Sequence, residues 1–193
     1  MHTGFTVWFT GLSGSGKTTS ARLLLERLKQ HGAKAELLDG DESRQRLCRG
    51  LGFSKEDRNE NVTRIGYVCE LLSRNGVVAI VAAISPYREA REKVRASLPR
   101  LIQVYMECPV EILIQNDVKG LYKKALAGEI QNFSGVSDPY EPPLTPEVTI
   151  RTYQDTPEEG VTKILDKLEH LGLLGAPTAP ETSILTNEGR PTP

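Results

Sequence analysis

Gly11-Leu12-Ser13-Gly14-Ser15-Gly16-Lys17-Thr18 fills every position of the G-x-x-x-x-G-K-[ST] pattern, and its flanks decide how it is read. Before it, Phe5-Thr6-Val7-Trp8-Phe9 is a short apolar run bounded by a turn, the signature of a buried strand. After it, Thr18 to Gln30 carries Leu23, Leu24 and Leu28 at helical spacing. A glycine-rich turn between strand and helix lets backbone N–H groups converge on phosphate, and a helix starting near Lys17 adds its positive end. The pattern predicts a bound nucleoside triphosphate, ATP or GTP, with Lys17 bridging the terminal phosphates and the Thr18 hydroxyl ligating Mg²⁺.

Outward from this stretch, strands and helices alternate. Ala35–Leu38 reads as a second strand ending at Asp39-Gly40-Asp41, Val77 to Ile84 as a third, Leu101 to Met106 as a fourth and Val148–Ile150 as a short fifth. Helices are expected at about Glu42 to Arg49, Arg58 to Asn75, Tyr87 to Ser97, Val110 to Gln115 and Pro157 to Leu171. That order predicts an α/β domain over residues 1–174: a five-stranded parallel sheet, helices on both faces, and ligands at the carboxyl ends of the strands. Residues 175–193 hold Pro177, Pro180, Pro191 and Pro193 with no aromatic residue, and read as a disordered tail or linker.

Bulk properties narrow the function classes. A chain of 193 residues suits one domain, and 24 Lys plus Arg against 25 Asp plus Glu give no basic field to recruit nucleic acid or membrane. No apolar run approaches the ~20 residues that a spanning helix requires, and Met1 to Phe5 enters the first strand without a signal-like segment. Cys48, Cys69 and Cys108 are odd in number and lack C-x-x-C spacing, so reduced thiols and a cytoplasmic setting are expected.

A triphosphate site leaves the acceptor open. Asp39-Gly40-Asp41 ends the second strand, where Asp41 reads equally as the N-cap of the next helix or as a carboxylate orienting an attacking hydroxyl. If both acids stay extended, strand alternation sends them to one face. Arg44, Arg58 and Arg64 are cations suited to an anionic acceptor, although such a pattern also describes a solvated helix face. Arg58 and Asn61, three apart, share a face and can meet one ligand.

Gly11 to Thr19, Leu38-Asp39-Gly40-Asp41 with Arg44, Leu51-Gly52-Phe53-Ser54, Asp57-Arg58-Asn59-Glu60-Asn61, Ile84-Ser85-Pro86-Tyr87, Lys119-Gly120-Leu121-Tyr122 and Pro139-Tyr140-Glu141-Pro142-Pro143 occur in order. Together they resemble the adenylylsulfate kinases, P-loop kinases, over about Phe5 to Leu171. The resemblance implies transfer of the ATP γ-phosphate to the 3′-hydroxyl of adenosine 5′-phosphosulfate. It implies a donor site of Gly11, Leu12, Ser13, Gly14, Ser15, Gly16, Lys17, Thr18 and Thr19, with Arg151 and Thr152 near the donor adenine. Around the acceptor it implies Asp41, Arg44, Arg58, Asn61, Ile84, Ser85, Lys119 and Leu121, with the adenine between Phe53 and Phe133. Lys17, Asp41 and Ser85 carry the catalytic roles, Asp41 orienting the 3′-hydroxyl and Ser85 hydrogen-bonding substrate. A phosphorylated serine has been described in the family, but direct in-line transfer requires no covalent step. A lid over about residues 117–143, a homodimer and a fused or bound sulfurylase module are also implied.

Three positions depart from the family pattern. Asn116 stands where an arginine usually precedes the aspartate, Ala83 where a phenylalanine precedes Ile-Ser-Pro-Tyr, and Tyr153 where an aspartate commonly follows. Loss of a cation at position 116 is expected to alter turnover. Two other readings fit the sequence: a related kinase of another small acceptor, and a non-catalytic nucleotide sensor within a sulfate-activating assembly. The intact Lys17-Thr18 pair weighs against the sensor.

Overall fold

The computed structural model describes residues 4–174; the expected tail over 175–193 lies outside the described residues, as do the first three of the chain. The chain order is β1 (Thr6–Thr10), α1 (Lys17–Gln30), β2 (Ala35–Asp39), α2 (Gly40–Arg46), α3 (Lys55–Arg74), β3 (Val78–Ala82), α4 (Arg88–Ser97), β4 (Leu101–Glu107), α5 (Val110–Asn116), α6 (Leu121–Leu126), β5 (Val148–Arg151) and α7 (Pro157–His170). All four strand pairings are parallel, in the order β2-β3-β1-β4-β5.

Alternation along β1 distributes its side chains to two cores. Phe5, Val7 and Phe9 pack with Ala21, Leu24 and Leu28 of α1 and with Val161, Ile164 and Leu168 of α7. Trp8 faces the other way, into a cluster with Val62, Ile65 and Cys69 of α3 and Ala90 and Val94 of α4. Every residue of β1 and β3 is therefore buried, which is why these strands read as continuous apolar or small runs. The three cysteines are unpaired, and burial pushes the Cys69 thiol up to about 12, leaving it an inert core group.

Because β3 and β4 flank β1, the chain order reverses about the central strand, and a crevice opens at its carboxyl end. Several boundaries differ from expectation for identifiable reasons. Asp39, not Asp41, caps α2, accepting from Asp41 N at 2.9 Å, so that helix starts at Gly40. Ser54 caps α3 through Asp57 N at 3.1 Å, moving its start to Lys55. The strand expected over 77–84 ends at Ala82, because the chain turns toward the positive φ of Ser85. The six-residue α6 was not anticipated from periodicity; Asp117 creates it by accepting from the N–H groups of Tyr122 and Lys123. At the far end, α7 carries the full capping box of Thr156 and Glu159 behind Pro157.

Candidate active site

One cavity of about 740 Å³ gathers residues from both sides of β1's carboxyl end. On one side, the chain leaves β1 through Gly11, where a side chain would strike the Met106 carbonyl of β4 at 2.7 Å. It enters α1 through Gly16, whose φ of 83° lies in the left-handed region. No side chain caps α1 and no acidic residue occupies its first turn. Its free N–H groups and positive end are thus left for an anion. Lys17 curls over the loop, its ammonium donating to the carbonyls of Gly11 at 2.9 Å and Leu12 at 2.6 Å. Burial, and secondarily the Lys119 ammonium, lower its pKa to about 7.

The two acids of the Asp39-Gly40-Asp41 segment separate rather than sharing a strand face. Asp39 ends β2 and accepts from the Thr18 hydroxyl at 2.8 Å. Asp41, in the first turn of α2, is exposed and lies 3.2 Å from the Lys119 ammonium. Thr18 and Asp39 offer hard oxygen donors beside the phosphate loop, which suit Mg²⁺ bound by one or two protein oxygens plus substrate phosphates. Among the described residues no group of three or more His, Cys, Asp or Glu forms a metal cluster. The sequence points to Thr18 alone for the metal and to Asp41 for the hydroxyl, and misses Asp39 as the partner of Thr18; the signal was a carboxylate at the end of the strand beside β3.

On the other side, Phe53 is 54% exposed and has two guanidiniums near its ring, Arg44 at 4.4 Å and Arg58 at 5.4 Å from the centroid. Both arginines also brace this loop. Arg44 donates to Gly52 O at 2.8 Å, and Arg58 donates through Nε to Phe53 O at 3.0 Å and through a terminal nitrogen to Asn132 O. Arg58 is buried, its charge 3.7 Å from the Asp138 carboxylate, and burial lowers its pKa from the usual value. Asn61 lines the cavity, and its buried Oδ1 has no hydrogen-bond partner among the described residues. Arg64 does not join this group. It pairs with Glu60 on the half-exposed side of α3, so the solvated-face reading holds for it.

The floor is set by Ser85, a non-glycine residue at φ 47°. The Trp8 indole donates to its Oγ at 3.0 Å, and the Arg91 guanidinium to its carbonyl, while Thr10 Oγ1 donates to Ile84 O at 2.6 Å. Arg91 is 2% exposed, also donates to the Glu141 carbonyl and sits 5.8 Å from the Tyr140 ring. Neither Trp8 nor Arg91 was singled out in the sequence, although an indole N–H in a buried strand usually has a partner.

Over the mouth, Lys119, Leu121 and Tyr122 line the cavity, as do Ala83 and Asn116, two of the departing positions. Phe133 does not line it. Its ring meets Tyr122 edge-on, centroids 5.1 Å apart at 80°, so of the two expected stacking rings only Phe53 is on the cavity wall. Arg151 and Thr152 also stand off the cavity, at the end of β5. There Arg151 pairs with Glu107 at 3.1 Å and Thr152 N donates to Glu107 O at 3.0 Å. Ser13, Gly14, Gly16, Thr19 and Ile84 do line it, whereas Gly11, Leu12 and Ser15 of the loop do not.

Comparison with known proteins supplies independent information. The family described as Adenylylsulphate kinase matches residues 3–151. An adenylyl-sulfate kinase of Rippkaea orientalis is 54% identical over 176 residues, covering 91% of this chain and 97% of its own length. A probable bifunctional SAT/APS kinase of Sorangium cellulosum is 54% identical over 169 residues, which are 88% of this chain but 29% of that protein. The Mycobacterium tuberculosis APS kinase in complex with AMPPNP and APS superposes with a TM-score of 0.83 at 40% identity, covering 88% of this chain and 99% of that one.

Proposed function

The chain belongs to the adenylylsulphate kinase family, and from that premise we propose how its residues divide the work. The protein is an adenylyl-sulfate kinase of sulfate activation, moving the γ-phosphate of ATP to the 3′-hydroxyl of adenosine 5′-phosphosulfate. The observation that carries the division of roles is the single cavity in which Lys17 and Thr18 share a wall with Asp41, Phe53, Arg58 and Asn61.

The loop amides of residues 11–19 and the open start of α1 hold the triphosphate, while Lys17 neutralises charge on the transferred group. Mg²⁺ fits at Thr18, with Asp39 orienting that hydroxyl, and when bound it supplies charge neutralisation on the β- and γ-phosphates. Asp41 orients the 3′-hydroxyl; as the oxygen–phosphorus bond forms and the bond to ADP breaks, the hydroxyl proton passes to that carboxylate. Phe53 stacks on the acceptor adenine, and Phe133, carried with Tyr122 on the same segment and meeting its ring edge-on, covers the opposite face. Arg44, Arg58 and the free Asn61 Oδ1 meet the acceptor, the guanidiniums balancing its phosphosulfate charge. Ser85 has accepted from Trp8 and keeps its hydroxyl proton to donate to substrate. Arg151 and Thr152 border the donor adenine.

The segment over residues 117–143 acts as a lid. Its contact with α2, the exposed Lys119–Asp41 pair, is weak enough to open and close with each turnover. The family resemblance further proposes a homodimer, and the Sorangium relative is a precedent for a sulfurylase module as partner. Three unpaired thiols suit a reducing compartment such as the cytoplasm.

The decisive experiment follows nucleotide products by chromatography after mixing MgATP with and without adenylylsulfate. The expected outcome is ADP and a 3′-phosphorylated product only when both substrates are present. Tight binding of both without turnover would replace the enzyme with a sensor domain, and indifference to adenylylsulfate would reassign the acceptor.

A further inference from the structure

Two contacts join the phosphate loop to the segment over residues 117–143. The Tyr122 hydroxyl, in the first turn of α6, donates to the Ser13 carbonyl at 2.8 Å. The neighbouring Leu12 side chain packs on Gly135, where a Cβ would come within 2.7 Å of Leu12 Cδ2 and φ is +89°. Both contacts end on the segment carrying Phe133, whose ring meets Tyr122 edge-on. Tyr122 is only 2% exposed, and burial raises its pKa, keeping it a hydrogen-bond donor.

The peptide plane makes the first contact directional. In a trans peptide the carbonyl of Ser13 and the N–H of Gly14 belong to one rigid unit and point in opposite senses. Holding the carbonyl on Tyr122 aims the Gly14 N–H away from it, and Gly14 lines the cavity beside Lys17. A triphosphate that fixes this N–H therefore also fixes the carbonyl, the phenol bonded to it and the ring edge that Phe133 meets.

We propose that Tyr122 is a positioning residue that couples the two substrates: triphosphate in the loop and stacking of the acceptor base on Phe133 favour one another through it. The proposal rests on the reading of Phe133 as an acceptor-stacking residue. Leu12 against Gly135 is the second joint of the same tie. Coupling of this kind is reciprocal and amounts to ~5–150-fold in affinity.

Calorimetric titration of adenylylsulfate into the protein alone, and into protein saturated with Mg²⁺ and a non-hydrolysable ATP analogue, gives the ratio of the two affinities. In the wild type the analogue should tighten acceptor binding ~5-fold or more. Tyr122→Phe keeps the ring against Phe133 and removes only the hydrogen bond to Ser13; its ratio should fall to within about twofold of one. A residue that merely supported the fold would shift both titrations together and leave the ratio intact. Leu12→Ala opens the second joint and should lower the ratio in the same direction, and it decides the matter if circular dichroism shows Tyr122→Phe to be unfolded. A wild-type ratio in the variant that folds, or a ratio of one in the wild type, would overturn the coupling. Phe133→Ala should weaken acceptor binding in both titrations; unchanged affinity there would overturn the stacking reading, an outcome distinct from a Tyr122→Phe ratio that stays high.

Discussion

The donor half of the cavity is one continuous stretch of chain, whereas the acceptor half is collected from distant ones. In the proposed division of roles, residues 11–19 reach phosphate mainly with backbone N–H groups and a helix end, so their geometry follows from local dihedrals. Phe53, Ser85 and the segment around Phe133 instead come from three separate connections. They are held in place by buried guanidiniums: Arg58 ties Phe53 O to Asn132 O, and Arg91 ties Ser85 O to Glu141 O. A site built from a loop tolerates change elsewhere in the molecule; one built from braces fails when a single brace is cut.

Cutting the donor half at its one indispensable side chain should have the largest effect. Lys17→Ala is expected to lower kcat/KM by ~10³-fold or more with the fold intact, measured by product chromatography. Near-normal transfer would mean that the backbone cradle suffices without its cation. The acceptor half should break through one of its braces. Arg58→Ala leaves the Phe53 and Asn132 carbonyls short of their donor and Asp138 without its cation. It should raise the adenylylsulfate KM ~10²-fold and cost about 2–4 kcal/mol of stability, leaving ATP binding in place. Loss of ATP affinity together with acceptor affinity would dissolve the distinction between the halves. Phe53→Ala removes an exposed ring and no brace, and should weaken the acceptor by only ~10-fold without a change in Tm.

The smallest expected effect is a pH dependence confined to the donor half. Burial holds the Lys17 pKa at about 7, and a polyanion beside it raises that value. Free protein is therefore charged at Lys17 below pH 7 and largely neutral above it, while the bound form stays charged. ATP affinity should be level below about pH 7 and decline above it by at most ~10-fold per pH unit, with proton uptake on binding at pH 8. Calorimetry in buffers of different ionisation enthalpy measures that uptake. Its absence, or equal uptake on adenylylsulfate binding, would remove the asymmetry.

The same asymmetry governed what could be read from the sequence. The order of strands, the two helical layers and the phosphate loop are local or periodic signals, and each appears where periodicity placed it. Asp41 was named but its conformation was not: whether Gly40 continues a strand or opens a helix depends on Asp39 turning back to cap Asp41 N. The helix α6 has six residues, too few for an apolar period, and depends on the Asp117 carboxylate. Arg91 looks like any charged residue of an amphipathic helix, and its burial under Tyr140 follows from a contact with Glu141 spanning 50 residues of chain. Phe133 lies outside the core that holds Phe5 and Phe9, but its resting place against Tyr122 is a tertiary fact with no local cue.

The chain contains one tryptophan, and its indole N–H is bonded to the serine at the floor of the cavity. Emission from Trp8 therefore originates from a single position, shielded from solvent and wired to one hydroxyl. Any event that recruits the Ser85 oxygen, or dries or wets its surroundings, alters the electric field along that indole. The protein thus carries an intrinsic optical gauge of its acceptor floor, readable in stopped flow without a label.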